Sequence, residues 1–117
     1  MEGYWLTHYR AGPRHGEGLV MLHAGELLGG DLEHIWRGTY EEEEGRLLVR
    51  IRIVPFVSRE EEETMARERP IILTLTGSCT ENTAHLEGCP DAHDDLFYDV
   101  EMRRCRSLQS EEHARAA

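Results

Sequence analysis

The stretch that decides the fold is RLLVRIRIV, residues 46–54, in which apolar and charged side chains alternate. One side of an extended chain would carry only apolar side chains, namely Leu47, Val49, Ile51 and Ile53. The other side would carry Leu48, Arg50, Arg52 and Val54. Successive side chains of a β-strand point to opposite faces, so the pattern predicts a strand with one buried face. Pro55 has no N–H for a sheet ladder, and it predicts the end of this strand.

Outside this stretch, short segments with alternating or apolar residues follow one another along the chain. They are residues 4–9, 16–23, 26–28, 34–40, 70–76, 80–86 and 96–103. Ala24-Gly25 is a tight connection that predicts a hairpin, and Gly38 predicts a bulge or bend within its strand. Eight short strands with turns about every ten residues are typical of an antiparallel barrel or sandwich. An eight-stranded barrel is just wide enough to be filled by side chains or to hold one small ligand.

The length of 117 residues allows one domain, which we place at residues 1–106. Residues 58–69 interrupt the strand pattern. Ser58 followed by Glu61 matches a capping box, and we expect a short helix or loop insertion there. Residues 107–117 are polar, and they predict a frayed C-terminal tail.

The charge of the chain excludes several classes of partner. There are 23 acidic and 13 basic side chains, which give a net charge of −10. Phosphates would be repelled, so we expect no nucleic acid and no anionic membrane surface as a partner. A protein with a basic face suits this charge better. The N-terminus has no basic and apolar signal, and we expect a cytoplasmic protein.

Cysteine and histidine residues give no sign of a metal site, a cofactor or a catalytic centre. The three cysteines, Cys79, Cys89 and Cys105, are an odd number without a CxxC pair, so we expect free thiols. Cys89 and His93 form only half of a zinc ligand set. Ser78-Cys79-Thr80 lacks the surroundings of a catalytic nucleophile. We therefore predict neither an enzyme nor a metal or cofactor site.

Four consecutive glutamates, Glu41, Glu42, Glu43 and Glu44, stand between two predicted strands and directly before Gly45. This position predicts a hairpin end in water. The acidic turn serves either solubility and protection of a strand edge, or docking of a surface rich in Arg or Lys.

The glycine and aromatic pattern of about residues 3–54 resembles the GrlR family, negative regulators of type III secretion gene expression in Gram-negative bacteria. The matching elements are Gly3-Tyr4-Trp5, Gly16-Glu17-Gly18, Gly25, Gly29-Gly30-Asp31 and Trp36-Arg37-Gly38-Thr39-Tyr40. The resemblance implies a lipocalin-like β-barrel with a short helix, assembled as a homodimer. It also implies repression through contact with a transcriptional activator, without DNA binding. The family's mixed Asp/Glu recognition motif corresponds here to the glutamate run at residues 41–44.

Trp36 and Tyr40 share one face of a predicted strand and are larger than a tightly filled small barrel needs. We therefore expect them at a dimer interface. The sequence favours a regulatory protein-interaction module of the GrlR kind, which sequesters an activator through the acidic turn. The alternative is a carrier of a small apolar ligand, which predicts an apolar cavity open at one end of the barrel.

Overall fold

A computed structural model of the protein describes residues 1–55, 71–91 and 96–106. In this part of the chain the strands are β1 (Gly3–Ala11), β2 (Arg14–His23), β3 (Glu26–Gly30), β4 (His34–Glu43), β5 (Arg46–Pro55), β6 (Ile71–Cys79), β7 (Thr83–Pro90) and β8 (Tyr98–Arg104). Each strand pairs antiparallel with the next, and β8 pairs with β1 to close a barrel. The prediction of an eight-stranded antiparallel barrel is confirmed. The expected insertion at 58–69 and the expected tail at 107–117 lie outside the described residues.

In β5, the strand that decides the fold, the buried and exposed faces are the ones that the sequence predicts. Leu47, Val49 and Ile51 are buried in the barrel core, while Arg50 and Arg52 are exposed. The other strands contribute alternate residues to the same core, which contains Trp5, Val20, Leu22, Leu27, Trp36, Leu73, Leu75, Ala84, Leu86, Val100 and Met102. Within residues 1–55, 71–91 and 96–106, no helix is long and apolar enough to cross a membrane.

Strand β7 differs from its predicted bounds. It begins at Thr83 rather than Thr80, and it continues to Pro90 rather than ending at Leu86. The Thr80 hydroxyl oxygen accepts hydrogen bonds from the backbone N–H groups of Asn82 and Thr83, at 3.3 and 3.1 Å. This turn occupies the first residues of the predicted strand, so β7 pairs with its neighbours only from Thr83 onward.

Glycines on inward faces allow the strands of this small barrel to approach closely. At Gly38 a Cβ atom would collide with the carbonyl oxygen of Arg50 on β5. At Gly77 it would collide with the carbonyl oxygen of His85 on β7. The β4–β5 register continues through Gly38 without an extra residue, so the glycine permits close approach and does not mark a bulge.

The two ends of the barrel are different. The cavity end, as we call it, carries the Gly12-Pro13 turn between β1 and β2 and the turn at 31–33 between β3 and β4. The acidic end carries the Ala24-Gly25 and Glu44-Gly45 turns. Trp5, whose indole Nε1 donates to the Met1 carbonyl oxygen at 2.9 Å, is wholly buried toward the acidic end. Side chains therefore fill that end of the barrel.

Candidate functional site

An apolar cavity of about 110 Å³ opens at the cavity end of the barrel. Inward-facing side chains from nearly every strand line it, among them Val20, Leu27, Val49, Ile51, Leu73 and Leu86. Small-molecule sites in proteins are typically concave and mostly apolar, with a few polar groups that fix orientation. The cavity has this composition.

Thr7 is the buried polar residue of the cavity wall. It lies on the inner face of β1, opposite Gly18 of β2 and Met102 of β8, and it is only 5% exposed. Its hydroxyl oxygen is buried and has no hydrogen-bond partner among the described residues. A buried hydroxyl without a partner costs about 1–3 kcal/mol of stability. The hydroxyl is therefore a group that a guest molecule in the cavity can satisfy.

A hydrogen-bonded cluster stands beside the mouth of the cavity. The Tyr9 hydroxyl donates to Asp31 Oδ2 at 2.9 Å, and Asp31 Oδ1 accepts from the backbone N–H groups of Glu33 and His34 at 2.7 and 2.6 Å. Burial and the hydrogen bond to Asp31 raise the pKa of Tyr9 to about 12. Burial alone would raise the pKa of Asp31, but these hydrogen bonds outweigh it and hold that pKa below its usual value. The cluster thus fixes the β3–β4 turn against β1.

Arg14 and Tyr98 also line the mouth of the cavity. Arg14 is the first residue of β2 and is exposed. Burial raises the pKa of Tyr98, and the positive charge of Arg14 opposes this change. An arginine and a tyrosine thus border the cavity at this end.

Trp36 lies inside the barrel and is not a surface aromatic. It is 5% exposed, and its ring packs edge-to-face on Tyr9 with centroids 5.8 Å apart. The expectation that Trp36 is too large for the interior is wrong, because inward glycines leave room for the aromatic rings. At Gly18 a Cβ atom would meet the Trp36 ring, and at Gly16 it would lie 2.6 Å from the Tyr9 hydroxyl oxygen.

Tyr40 is half-buried and packs against the same core. Neither it nor Trp36 forms the outward aromatic surface that the interface prediction needs. The homodimer itself stays a prediction.

The acidic run occupies the predicted hairpin end. Glu41 to Glu44 are all exposed, and Glu44-Gly45 forms the turn with φ of 50° and 78°. Strand alternation separates the four carboxylates. Glu42 turns toward the barrel, where its Oε1 lies 3.1 Å from the Met1 amino group, whereas Glu41 and Glu43 lie on the outer face. Partner binding by these residues stays a prediction.

The cysteines carry no disulfide: Cys79, Cys89 and Cys105 are all half-buried thiols. Burial raises the pKa of the Cys79 thiol, which works against a role as a nucleophile. The predicted half-set of zinc ligands includes His93, which lies outside the described residues.

A different group on the outer sheet face, His85, Glu87 and Asp99, has ligand atoms within 4.8 Å of one another, as a metal site requires. His85 Nε2 already lies 2.6 Å from Asp99 Oδ1, and this hydrogen bond raises the pKa of His85. Residue spacing does not predict this set, because Asp99 on β8 comes beside His85 and Glu87 on β7 only through strand pairing.

No family model matches the chain, and no curated protein matches it significantly. The assignment of function therefore depends on the geometry of the barrel and on the resemblance described above.

Proposed function

We propose that the protein binds one small, mainly apolar molecule in the barrel interior, at the cavity end. The observation that carries this proposal is the Thr7 hydroxyl, which is buried in an apolar cavity wall and has no partner among the described residues. Natural proteins rarely leave a buried polar atom unsatisfied, and such an atom calls for a specific explanation. A ligand that brings one hydrogen-bonding group into the cavity would be the partner of the Thr7 hydroxyl.

The size of the cavity limits the ligand. An engineered apolar cavity of about 150 Å³ holds benzene, and the cavity here is about 110 Å³ with an open mouth. The buried part of the ligand is therefore one ring or a short alkyl chain, and the remainder extends through the mouth.

Calorimetric titration with phenol and toluene tests the proposal, because the two probes differ by one hydroxyl group. We expect both to bind, with phenol tighter, and we expect Thr7→Val to abolish the preference for phenol.

Val49→Phe fills the cavity from β5 and is expected to abolish binding. Leu48→Phe, which adds the same ring on the outer face of that strand, is the control. Circular dichroism checks that both variants fold. Absence of binding to the wild type, or binding that survives Val49→Phe, contradicts the proposal.

The second candidate is the regulatory module that the resemblance implies, in which the acidic end docks a basic face of an activator protein. It is supported by the exposure of Glu41 to Glu44 on one hairpin and by the net charge of −10. A cluster of like charges steers an oppositely charged partner, and its attraction is screened over about 8 Å at physiological salt.

A charge-matched pair of variants tests this second candidate. One variant replaces Glu41 to Glu44 with Gln, and the control replaces the exposed residues Glu17, Glu33, Glu81 and Glu101 with Gln. Affinity purification from native cell extract is expected to retain a basic transcription regulator with the wild type and the control, and to lose it with the hairpin variant. Equal retention by both variants contradicts the docking role.

A further inference from the structure

We infer that the ligand of the cavity is an anion, with an apolar body inside the barrel and a carboxylate at the mouth held by the Arg14 guanidinium. This inference depends on the proposed ligand-binding function and adds the chemical class of the ligand. It is carried by the position of Arg14 on the cavity wall and by the lack of an ion-pair partner for Arg14 among the described residues.

Strand alternation places the Arg14 side chain on the inner side of the barrel. Gly16, Gly18 and Val20 follow Arg14 at intervals of two residues on β2, and Val20 is buried in the core. Arg14 pairs with the buried residue Ala11, and it lines the cavity. It is exposed because β2 begins there, at the open end. The guanidinium therefore lies at the entrance of the cavity, where it can contact a bound ligand.

The Arg14 guanidinium has no ion-pair partner within residues 1–55, 71–91 and 96–106, although the chain has an excess of acidic residues. Asp31 belongs to the cluster beside the mouth, and its two oxygens accept from the Tyr9 hydroxyl and from two backbone N–H groups, while the His34 ring lies 3.3 Å from Oδ1. Among the described side chains that line the cavity, Arg14 is therefore a charged group without an ion pair. A planar guanidinium with paired donors suits a carboxylate.

The distance between the two polar groups of the cavity fits an elongated molecule. Thr7 and Ala11 are four residues apart on β1, which corresponds to about 13 Å along a strand. Part of this length is covered by the Arg14 side chain, and the rest is open to an arylalkyl or short alkyl carboxylate. A hydroxyl or similar polar group on the buried end of such a molecule meets the Thr7 hydroxyl, while its carboxylate stays at the solvent boundary.

Three probes of nearly the same shape test the inference: 3-phenylpropionate, 3-phenylpropan-1-ol and 3-phenylpropylamine. In calorimetric titrations of the wild type we expect the carboxylate to bind about tenfold more tightly than the alcohol, and the amine to bind most weakly. Arg14→Gln is expected to reduce carboxylate affinity to that of the alcohol and to leave alcohol affinity within twofold. Arg10→Gln is the control, since Arg10 is exposed on the outer face of β1 at the same end.

The outcomes separate this inference from the proposed function. Equal binding of the alcohol and the carboxylate to the wild type would contradict the inference that the ligand is an anion. So would an Arg10→Gln variant that loses as much affinity for the carboxylate as Arg14→Gln does. In both cases the proposal that the cavity binds a small ligand would be unaffected. If none of the three probes binds the wild type, both proposals fail together.

Discussion

Replacement of Thr7 by Val tests whether the buried hydroxyl is unpaired in the folded protein. The change removes the hydroxyl and puts a methyl group of nearly the same size in its place. An unpaired buried hydroxyl costs about 1–3 kcal/mol, and burial of the additional methyl group contributes about 0.8 kcal/mol. We therefore expect the free energy of unfolding of Thr7→Val to rise by about 2–4 kcal/mol in the absence of ligand.

Urea denaturation followed by tryptophan fluorescence measures this difference, and thermal unfolding checks it independently. For a domain of 117 residues, 1 kcal/mol corresponds to a shift of about 4 °C in Tm. Thr76→Val, at an exposed outer position of β6, is the control and is expected to change stability by no more than about 0.5 kcal/mol. A loss of about 1 kcal/mol or more in Thr7→Val would refute the reasoning, because it would mean that the hydroxyl has a partner in the folded protein.

Three further predictions concern the barrel itself. Val49→Asp puts a carboxylate in the core and is expected to unfold the domain. Arg50→Asp replaces an exposed ion pair with Asp91 by two like charges that solvent screens, and it is expected to stay within about 1 kcal/mol of the wild type. Equal melting temperatures for the two variants contradict the register. Gly77→Ala brings a Cβ atom against the backbone of β7 and is expected to cost more than about 2 kcal/mol in urea denaturation, so an unchanged midpoint contradicts the close approach. The pKa of Tyr9 is about 12 in the folded protein, above the usual value of 10, so its stabilising contribution is present below pH 10 and is lost as the pH rises toward 12. Urea midpoints measured across this range are expected to fall less steeply for Tyr9→Phe than for the wild type, and parallel curves would argue against the shift.

The fold could be predicted from the sequence because its signals are local. Alternation in residues 46–54 fixes one buried face, and Ala24-Gly25 and Glu44-Gly45 provide tight turns, each with positive φ at both residues. The start of β7 could not be predicted from its residue types. The hydrogen bond that the Thr83 backbone N–H donates to the Thr80 hydroxyl oxygen decides it, and a threonine side chain can adopt such a bond or leave it unmade.

The cavity could not be predicted to the same degree, because it depends on contacts across the barrel. Gly18 on β2 makes room for Trp36 on β4, although β3 lies between these two strands in the sheet. Thr7 stands in an aromatic-rich strand and shows nothing unusual until the burial of its hydroxyl is known. Gly16 and Gly18, two residues apart on the inner face of β2, were a signal that large side chains from other strands fill the space beside them.

The two proposed sites lie at opposite ends of the same pair of strands. Strands β4 and β5 run from Trp36 and Ile53, which line the cavity, to the acidic hairpin. If the barrel binds both a ligand and a protein partner, any effect of the ligand on partner affinity must equal the effect of the partner on ligand affinity. Titration of the captured partner with and without 3-phenylpropionate measures the first effect, and titration of the ligand with and without the partner measures the second. Non-zero effects, which linkage requires to be equal, would mean that the ligand regulates docking, whereas two zero effects would make cavity and hairpin independent features of one barrel.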